Sequence, residues 1–360
     1  MKLVITGGHF TPAWAMVPIL QKEFSLLFVI RKHAYEGDSS FSFEYQTVQK
    51  LGLPFRVISA GRLQRRWTFY TLPALLKFPL GFLQSFLILI GYRPDIVLSF
   101  GGYVALPVAL AAFILRIPVI THEQTIRAGL ANKIIAHFAK KICVTFKESL
   151  WQFPKEKTVL TGNPIRKELF FSGQKPPFPI KLGLPIIYIN GGSGGSAYIN
   201  EAISSILPRL LQKYIVIHQT GGSFAPKLPA KLKERYIFKN WFEVQELAWI
   251  YRHISLLIGR SGANTVYEVL TFGIPAIFIP LSWAGASEQE QNAELAEKTG
   301  LAKVLPQKTL TNKVLLSAID EMISKKNQHH SLKAKSLIIG NARENILKVL
   351  KNVRAYEKTA

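Results

Sequence analysis

Acidic residues are scarce in this 360-residue chain: 22 Asp and Glu stand against 45 Lys and Arg, leaving a formal charge of +23. The aspartates are Asp38, Asp95 and Asp320 alone, so no Asp-x-Asp pair exists to hold a divalent ion on a diphosphate. Metal-independent chemistry is therefore expected. A single cysteine, Cys143, excludes an internal disulfide framework and fits a reducing compartment. No Gly-x-x-x-x-Gly-Lys occurs, which argues against a P-loop NTPase. No apolar run reaches the roughly 20 residues that a membrane span needs. The longest, Thr71 to Tyr92, is broken by Pro73, Lys77, Pro79 and Gln84. The chain opens Met1-Lys2-Leu3-Val4-Ile5-Thr6-Gly7, which reads as a strand entering a glycine turn rather than a signal peptide.

The excess of cations calls for a polyanionic partner: nucleic acid, an anionic membrane face or a phosphorylated substrate. No aromatic-basic RNA signature accompanies the charge, so nucleic acid is the weakest of the three. Arg62, Arg65 and Arg66 run into Phe69, Tyr70, Leu75, Leu76, Phe78, Leu80, Phe82, Leu83 and Phe86. Basic and large apolar residues together suit a helix lying in an anionic interface. A core helix with a basic flank is the alternative, and it is the expectation for the end from Leu87 to Ile90.

Length sets a prior of two domains, and 48% hydrophobic residues with 25 Gly and 20 Pro mark a globular chain. Short β-branched runs alternate with helical patterns. Strands are expected at Leu3 to Thr6, Leu27 to Ile30, Arg56 to Ser59, Ile96 to Ser99, Pro118 to Thr121 and Ile142 to Thr145. After the turn cluster Gly162-Asn163-Pro164 they resume at Ile186 to Asn190, Tyr214 to Ile217, Tyr236 to Phe238, Leu256 to Ile258 and Ala276 to Ile279. That alternation predicts an α/β chain of two doubly wound parallel sheets, with a ligand cleft at the carboxyl ends of the strands.

The chemistry-bearing stretches sit at those strand ends. Gly259-Arg260-Ser261-Gly262-Ala263-Asn264-Thr265 follows a buried strand and opens a helix, whose unpaired N–H groups favour an anion such as phosphate. Glu268, in the second turn, is placed to accept hydrogen bonds from a diol such as a ribose; an ordinary turn with a solvated glutamate is the plainer alternative. In Thr6-Gly7-Gly8-His9 the glycines admit a ligand to the backbone. His9 falls at a helix N-terminus, where the dipole disfavours the imidazolium and suits a general base; a purely structural histidine is the plainer alternative. Phe100-Gly101-Gly102-Tyr103 is a second glycine turn, equally explained by close helix–strand packing. Thr121-His122-Glu123-Gln124 ends a strand with polar groups, but no further ligand at zinc spacing joins the His-Glu pair. Asn190 to Ser196 makes a glycine-rich, anion-binding loop, with no acidic residue ending the next strand to bind a ribose. Glu288 to Ala293 offers side-chain amides suited to sugar hydroxyls or to a solvated cap.

In their order along nearly the whole chain, these motifs resemble the MurG family, peripheral membrane transferases that make lipid II from lipid I. The resemblance rests on Thr6-Gly7-Gly8-His9, Ser99 to Val104, His122-Glu123-Gln124, Ala128 to Leu130 with Asn132-Lys133, Gly162 to Arg166, Gly191-Gly192-Ser193, His218-Gln219, Arg260 to Ala263 with Thr265 and Glu268, and Gln289 with Asn292-Ala293. It implies a GT-B fold, two doubly wound Rossmann-like domains facing across a cleft. Residues 1–163 would bind acceptor and membrane, residues 164–338 would bind UDP-GlcNAc, and 339–360 would be a helix able to return to the first domain. An inverting, metal-independent hexosyltransferase without cofactor is implied, working at the cytoplasmic face of the cell membrane. Its partners would be UDP-GlcNAc, lipid I, the anionic membrane surface and other cell-wall enzymes.

By the same resemblance His9 is the leading base for the muramyl 4-hydroxyl, with His122 and Glu123 as second candidates or acceptor positioners. Thr6, Gly7, Gly8, Gly101, Gly102, Tyr103 and Thr125 would line the acceptor site. Arg166 and Ser193 would lie near the diphosphate, where the helix starts at Ser193 and at Ser261, Gly262, Ala263 and Thr265 would help. Glu268 would take the ribose, and Gln289 and Asn292 the GlcNAc. Three departures stand out: Val4-Ile5 where the family has an extra Gly-Gly, Thr125 where Asn is common, and the acidic Glu288 beside Gln289. They keep two alternatives open, a related transferase on another lipid and a catalytically silent sugar-nucleotide or membrane binder.

Overall fold

The computed structural model describes every residue except 34–39, 62–70, 172, 174, 181–182, 193, 223, 225–231, 233, 282–285, 325–327 and 360, together with all side chains apart from those of 71–76, 286–287, 328–331 and 354–359 as well. The chain forms two compact units, Met1–Arg166 with Ile339–Ala360, and Lys167–Ile338.

The first unit runs β1 (Lys2–Thr6), α1 (Phe10–Leu20), β2 (Ser25–Ile30), α2 (Phe43–Lys50), β3 (Phe55–Val57), α3 (Thr71–Tyr92), β4 (Ile96–Ser99), α4 (Ala105–Ile114), β5 (Val119–Glu123), α5 (Leu130–Phe138), β6 (Lys141–Val144) and β7 (Thr158–Leu160). The second runs β8 (Ile186–Asn190), α6 (Ala197–Lys213), β9 (Ile215–Gln219), β10 (Tyr236–Lys239), α7 (Val244–His253), β11 (Leu256–Gly259), α8 (Ala263–Phe272), β12 (Ala276–Phe278), α9 (Ala286–Lys298), β13 (Ala302–Val304), α10 (Asn312–Ser324) and α11 (Gln328–Ser336). Helix α12 (Ala342–Thr359) belongs to the first unit.

Every strand pair is parallel, in the orders β3-β2-β1-β4-β5-β6-β7 and β10-β9-β8-β11-β12-β13. The near-continuous apolar strands follow from burial of both sheet faces. In the first unit, alternation sends Leu3, Ile5, Phe28 and Leu98 to one core, with Met16 of α1 and Ile346, Leu350 and Val353 of α12. Val4, Val29 and Val97 go to the other core, under α4 and α5. Each order reverses beside the sheet's first strand, at β1/β4 and at β8/β11. Loops leaving the carboxyl ends of those four strands are where an open α/β sheet receives a ligand.

Helix α3 overturns two expectations. Phe78, Phe82 and Phe86 pack against the core, rather than forming an interfacial face. Leu87 and Ile90, expected in the core, are exposed, and so are Leu80 and Leu83; only Leu89 of that end is fully buried. Residues 80, 83, 87 and 90 recur at three- and four-residue steps, so they form one stripe of the helix. Arg62 to Tyr70 lie outside the described residues, as do the side chains of Leu75 and Leu76. No helix among the described residues is long and apolar enough to cross a membrane.

Candidate active site

In the first unit the loops after β1 and β4 meet backbone to backbone. Gly8 N–H donates to Gly101 O at 2.9 Å, and Phe100 N–H donates to Thr6 O at 3.0 Å. A Cβ on Gly102, whose φ is +78°, would stand 2.7 Å from the Gly8 Cα. Only glycine permits both that approach and that left-handed φ. Gly101 is also left-handed, and Ser99 Oγ accepts its N–H at 3.1 Å. His9 is the N-cap of α1, makes no side-chain cap bond and is exposed. Tyr103 is half-buried, with the Arg31 guanidinium 5.1 Å from its ring centre; Arg31 in turn bonds the buried Glu44 at 2.6 Å. Thr6 Oγ1 is buried without a hydrogen-bond partner among the described residues.

In the second unit, Gly262 caps α8 and so offers no side chain to its first N–H groups; no acidic residue lies in the first turn. That end is open to an anion. The start of α6 differs: Ser196 is its N-cap and accepts from Ile199 N–H. The loop before it lies on the loop after β9, because a Cβ on Gly195 (φ +72°) would stand 2.2 Å from Thr220 O. A buried network ties the two down. His218 Nε2 donates to Asn200 Oδ1 at 3.0 Å, Asn200 Nδ2 donates to Thr220 O, and Tyr236 OH donates to His218 Nδ1 at 2.9 Å. The Asn200 amide fixes that tautomer, since its nitrogen is already donating. Glu268 is buried on α8, and Tyr251 OH donates to its Oε2 at 2.7 Å. Ser261 Oγ donates to Gln289 O, Asn292 Nδ2 reaches Ser261 O at 3.4 Å, and Gln289 Oε1 accepts Leu281 N–H. The buried Asn292 Oδ1 has no partner among the described residues.

The N-terminal domain profile of glycosyltransferase family 28 matches residues 6–144, and its C-terminal domain profile matches residues 186–350. A Bacillus cereus protein named UDP-N-acetylglucosamine--N-acetylmuramyl-(pentapeptide) pyrophosphoryl-undecaprenol N-acetylglucosamine transferase 2 is 33% identical, over 98% of this chain and 99% of its own length. A transferase of the same name without the numeral, from Lachnoclostridium phytofermentans, is 35% identical over 98% and 99%. The crystal structure of Acinetobacter baumannii MurG is similar with a TM-score of 0.70 and 25% identity, covering 98% of this chain and all of that one.

The chain belongs to the MurG family. It is a hexosyltransferase with the GT-B architecture of two Rossmann-like domains.

The residues that the MurG family resemblance singled out meet this geometry unevenly. Thr6, Gly7, Gly8, His9, Gly101, Gly102 and Tyr103 do gather at the β1/β4 reversal. His122 and Glu123 lie in the interior at the end of β5. The His122 imidazole is fully buried, donates from Nε2 to Gly162 O at 2.9 Å and has its pKa pushed down to about 4 by burial. It stays neutral, with no exposed nitrogen to meet a substrate. The buried Glu123 carboxylate accepts from Thr125 N–H and Oγ1, Gly129 N–H and Asn132 Nδ2, so it organises the loop leading into α5. Thr125 Oγ1 lies within hydrogen-bond distance of Glu123 Oε1 and Arg127 O. Arg166 lies in the first unit, its guanidinium 4.8 Å from the Trp14 ring centre.

Ser193 lies outside the described residues, and α6 starts three residues later than expected, after Ser196. Ser261 precedes the Gly262 cap, Ala263 is the first residue of α8, and Thr265 sits half-buried in its first turn.

Two residues that hold the candidate site together carried no sequence signal strong enough to assign. Arg260 is buried and donates to Ile279 O, Pro280 O, Gln307 Oε1 and Ser196 Oγ, stitching the β11, β12 and α6 loops together; burial lowers its pKa. Its place beside Ser261 was the one available hint. Tyr251 stands 17 residues before Glu268, and only the packing of α7 and α8 brings them together.

Proposed function

We propose that this chain transfers GlcNAc from UDP-GlcNAc to the 4-hydroxyl of MurNAc in undecaprenyl-linked lipid I, forming lipid II with inversion at C1. The observation that carries the reading is 33% and 35% identity, over nearly the full length, to enzymes named for that transfer. The donor is assigned to the second unit: the uncapped start of α8 faces a diphosphate chemically, and Glu268 accepts the ribose hydroxyls. Asn292 and Gln289, on the first turns of α9, take the GlcNAc. The unpartnered Asn292 oxygen supports that choice, because a buried acceptor left unpaired is costly until a donor arrives.

The acceptor is assigned to the loops at the β1/β4 reversal. His9, the exposed imidazole there, takes the proton of the 4-hydroxyl as the oxygen attacks C1. The bond from C1 to the β-phosphate oxygen breaks, and its electron pair leaves with UDP. Charge grows on the leaving phosphate, so fixed N–H donors lower the transition state more than the ground state.

The exposed Leu80, Leu83, Leu87 and Ile90 of α3 supply a docking face for the cytoplasmic leaflet. Helix α4, packed on α3, adds Phe113 and Ile114, and α5, packed on α4, adds Leu130 and Ile134. Lys77 and Lys133 are exposed on the same helices, which suits an anionic bilayer. The reading is tested by UDP release in the presence of phospholipid vesicles. Release should require UDP-GlcNAc and a lipid I analogue together; release with a different lipid acceptor alone would replace the acceptor assignment.

A further inference from the structure

Glu268 is a carboxylate set well inside the second unit, where burial of an ion is tolerated only with hydrogen-bond donors around it. One donor is the phenol of Tyr251, 2.7 Å from Oε2. An ionised carboxylate can only accept, so the tyrosine must donate. The phenol itself has little freedom. Tyr251 is buried near the end of α7, its ring edge-on to Tyr188 of β8 at 6.1 Å and tilted against Phe272 of α8 at 5.6 Å. The first turn of α7 is fixed by a reciprocal capping box between Glu243 and Glu246. A rigid donor thus holds one oxygen of the carboxylate. A carboxylate has about four lone-pair positions, so several donors can share it.

We propose that Tyr251 is a positioning residue for the donor substrate: its hydroxyl sets the Glu268 carboxylate in the orientation that receives the ribose hydroxyls of UDP-GlcNAc. The inference rests on the assignment of Glu268 to the ribose. A diol recognised by a carboxylate already held in place binds without the cost of ordering that side chain. Tyr251 therefore acts through Glu268 and touches no reacting atom.

The test compares wild type with Tyr251→Phe, using UDP-GlcNAc and analogues lacking the ribose 2′- or 3′-hydroxyl. Wild type should bind the deoxy donors about tenfold or more weakly, as a lost hydrogen bond to a charged group implies. Tyr251→Phe should raise KM for UDP-GlcNAc about 5- to 20-fold, leaving the loss in KM rather than kcat. It should change the deoxy donors less than about twofold, so that discrimination collapses. Equal weakening of all three donors, or none, overturns the positioning role while the ribose assignment stands. Wild type that ignores the missing hydroxyls overturns the ribose assignment itself, and the inference with it. A cycle with Glu268→Ala, which removes the acceptor, guards against a purely structural effect. Tyr251→Phe should add nothing to KM once Glu268 is Ala, and full additivity refutes the proposal even where the single variant is less stable.

Discussion

Replacing Leu80, Leu83 and Leu87 of α3 together with serine should detach the protein from membranes without unfolding it. These side chains keep 47%, 53% and 61% of their surface exposed, so the folded state gains little from them. Fully burying a leucine is worth about 1.5–3 kcal/mol. With roughly half of each side chain on offer to a bilayer, each contributes about 1 kcal/mol and the three about 3 kcal/mol. At about 1.4 kcal/mol per tenfold, the partition coefficient onto anionic vesicles should fall by roughly a hundredfold. The assay is cosedimentation with vesicles containing an anionic phospholipid, beside a urea melt of the same variant. Phe82→Ser is the contrasting control. Its partly buried ring packs against the core beneath α3, so it should lower stability by about 1–3 kcal/mol through lost apolar burial. Unchanged vesicle binding by the triple serine variant would refute the assignment of this face, and so would a large loss of stability.

His9→Ala should lower kcat by about 10²–10⁴, with UDP binding retained, if the exposed N-cap imidazole is the base; a loss under threefold, measured at saturating acceptor, removes it from that role. Glu268→Gln should raise the KM for UDP-GlcNAc with a smaller effect on kcat, because the carboxylate's charge-assisted bonds are replaced by weaker ones, and donor titration checks this. Acid should destabilise the fold through His122 and His218, both held down to about 4 by burial. Their folded values lie below the ordinary 6.5, so the unfolded chain binds these protons first as pH falls. The stability they confer is whole above about pH 6.5 and is lost between there and about pH 4, at up to roughly 1.4 kcal/mol per pH unit for each imidazole. Urea unfolding at pH 7 and pH 5 should show the decline, and His218→Gln should make it shallower; an identical slope in that variant contradicts the assignment.

The parallel sheets were legible because buried strands such as Val4-Ile5 and Ile187 to Ile189 are apolar on both faces. The strands that escaped notice, Thr158–Leu160 and Ala302–Val304, are three-residue edge strands only partly buried, with no apolar run to announce them. Glycine loops marked the right strand ends, but not that Gly8 and Gly102 lie against each other, since that approach joins residues far apart in the chain.

On α3 the run is so uniformly apolar that periodicity could not choose a face. The phenylalanines took the core, and the leucines at 80, 83 and 87 were left outside. His122 and Glu123 became candidates through the family resemblance. On an interior strand such polar groups are enclosed by the protein: Gly162 O takes the His122 Nε2 proton and the start of α5 donates to Glu123, while His122 Nδ1 has no partner among the described residues. Nothing in the sequence near Tyr251 points to Glu268, 17 residues away, which meets it only in the folded chain.

The most direct test of the account is transfer of labelled GlcNAc from UDP-GlcNAc to a lipid I analogue in vesicles with EDTA present, followed by analysis of the linkage. A β-1,4-linked GlcNAc on the muramyl residue, formed at an undiminished rate, is the predicted result. Measurable UDP-GlcNAc binding with no labelled lipid, in the presence or absence of EDTA, would contradict it.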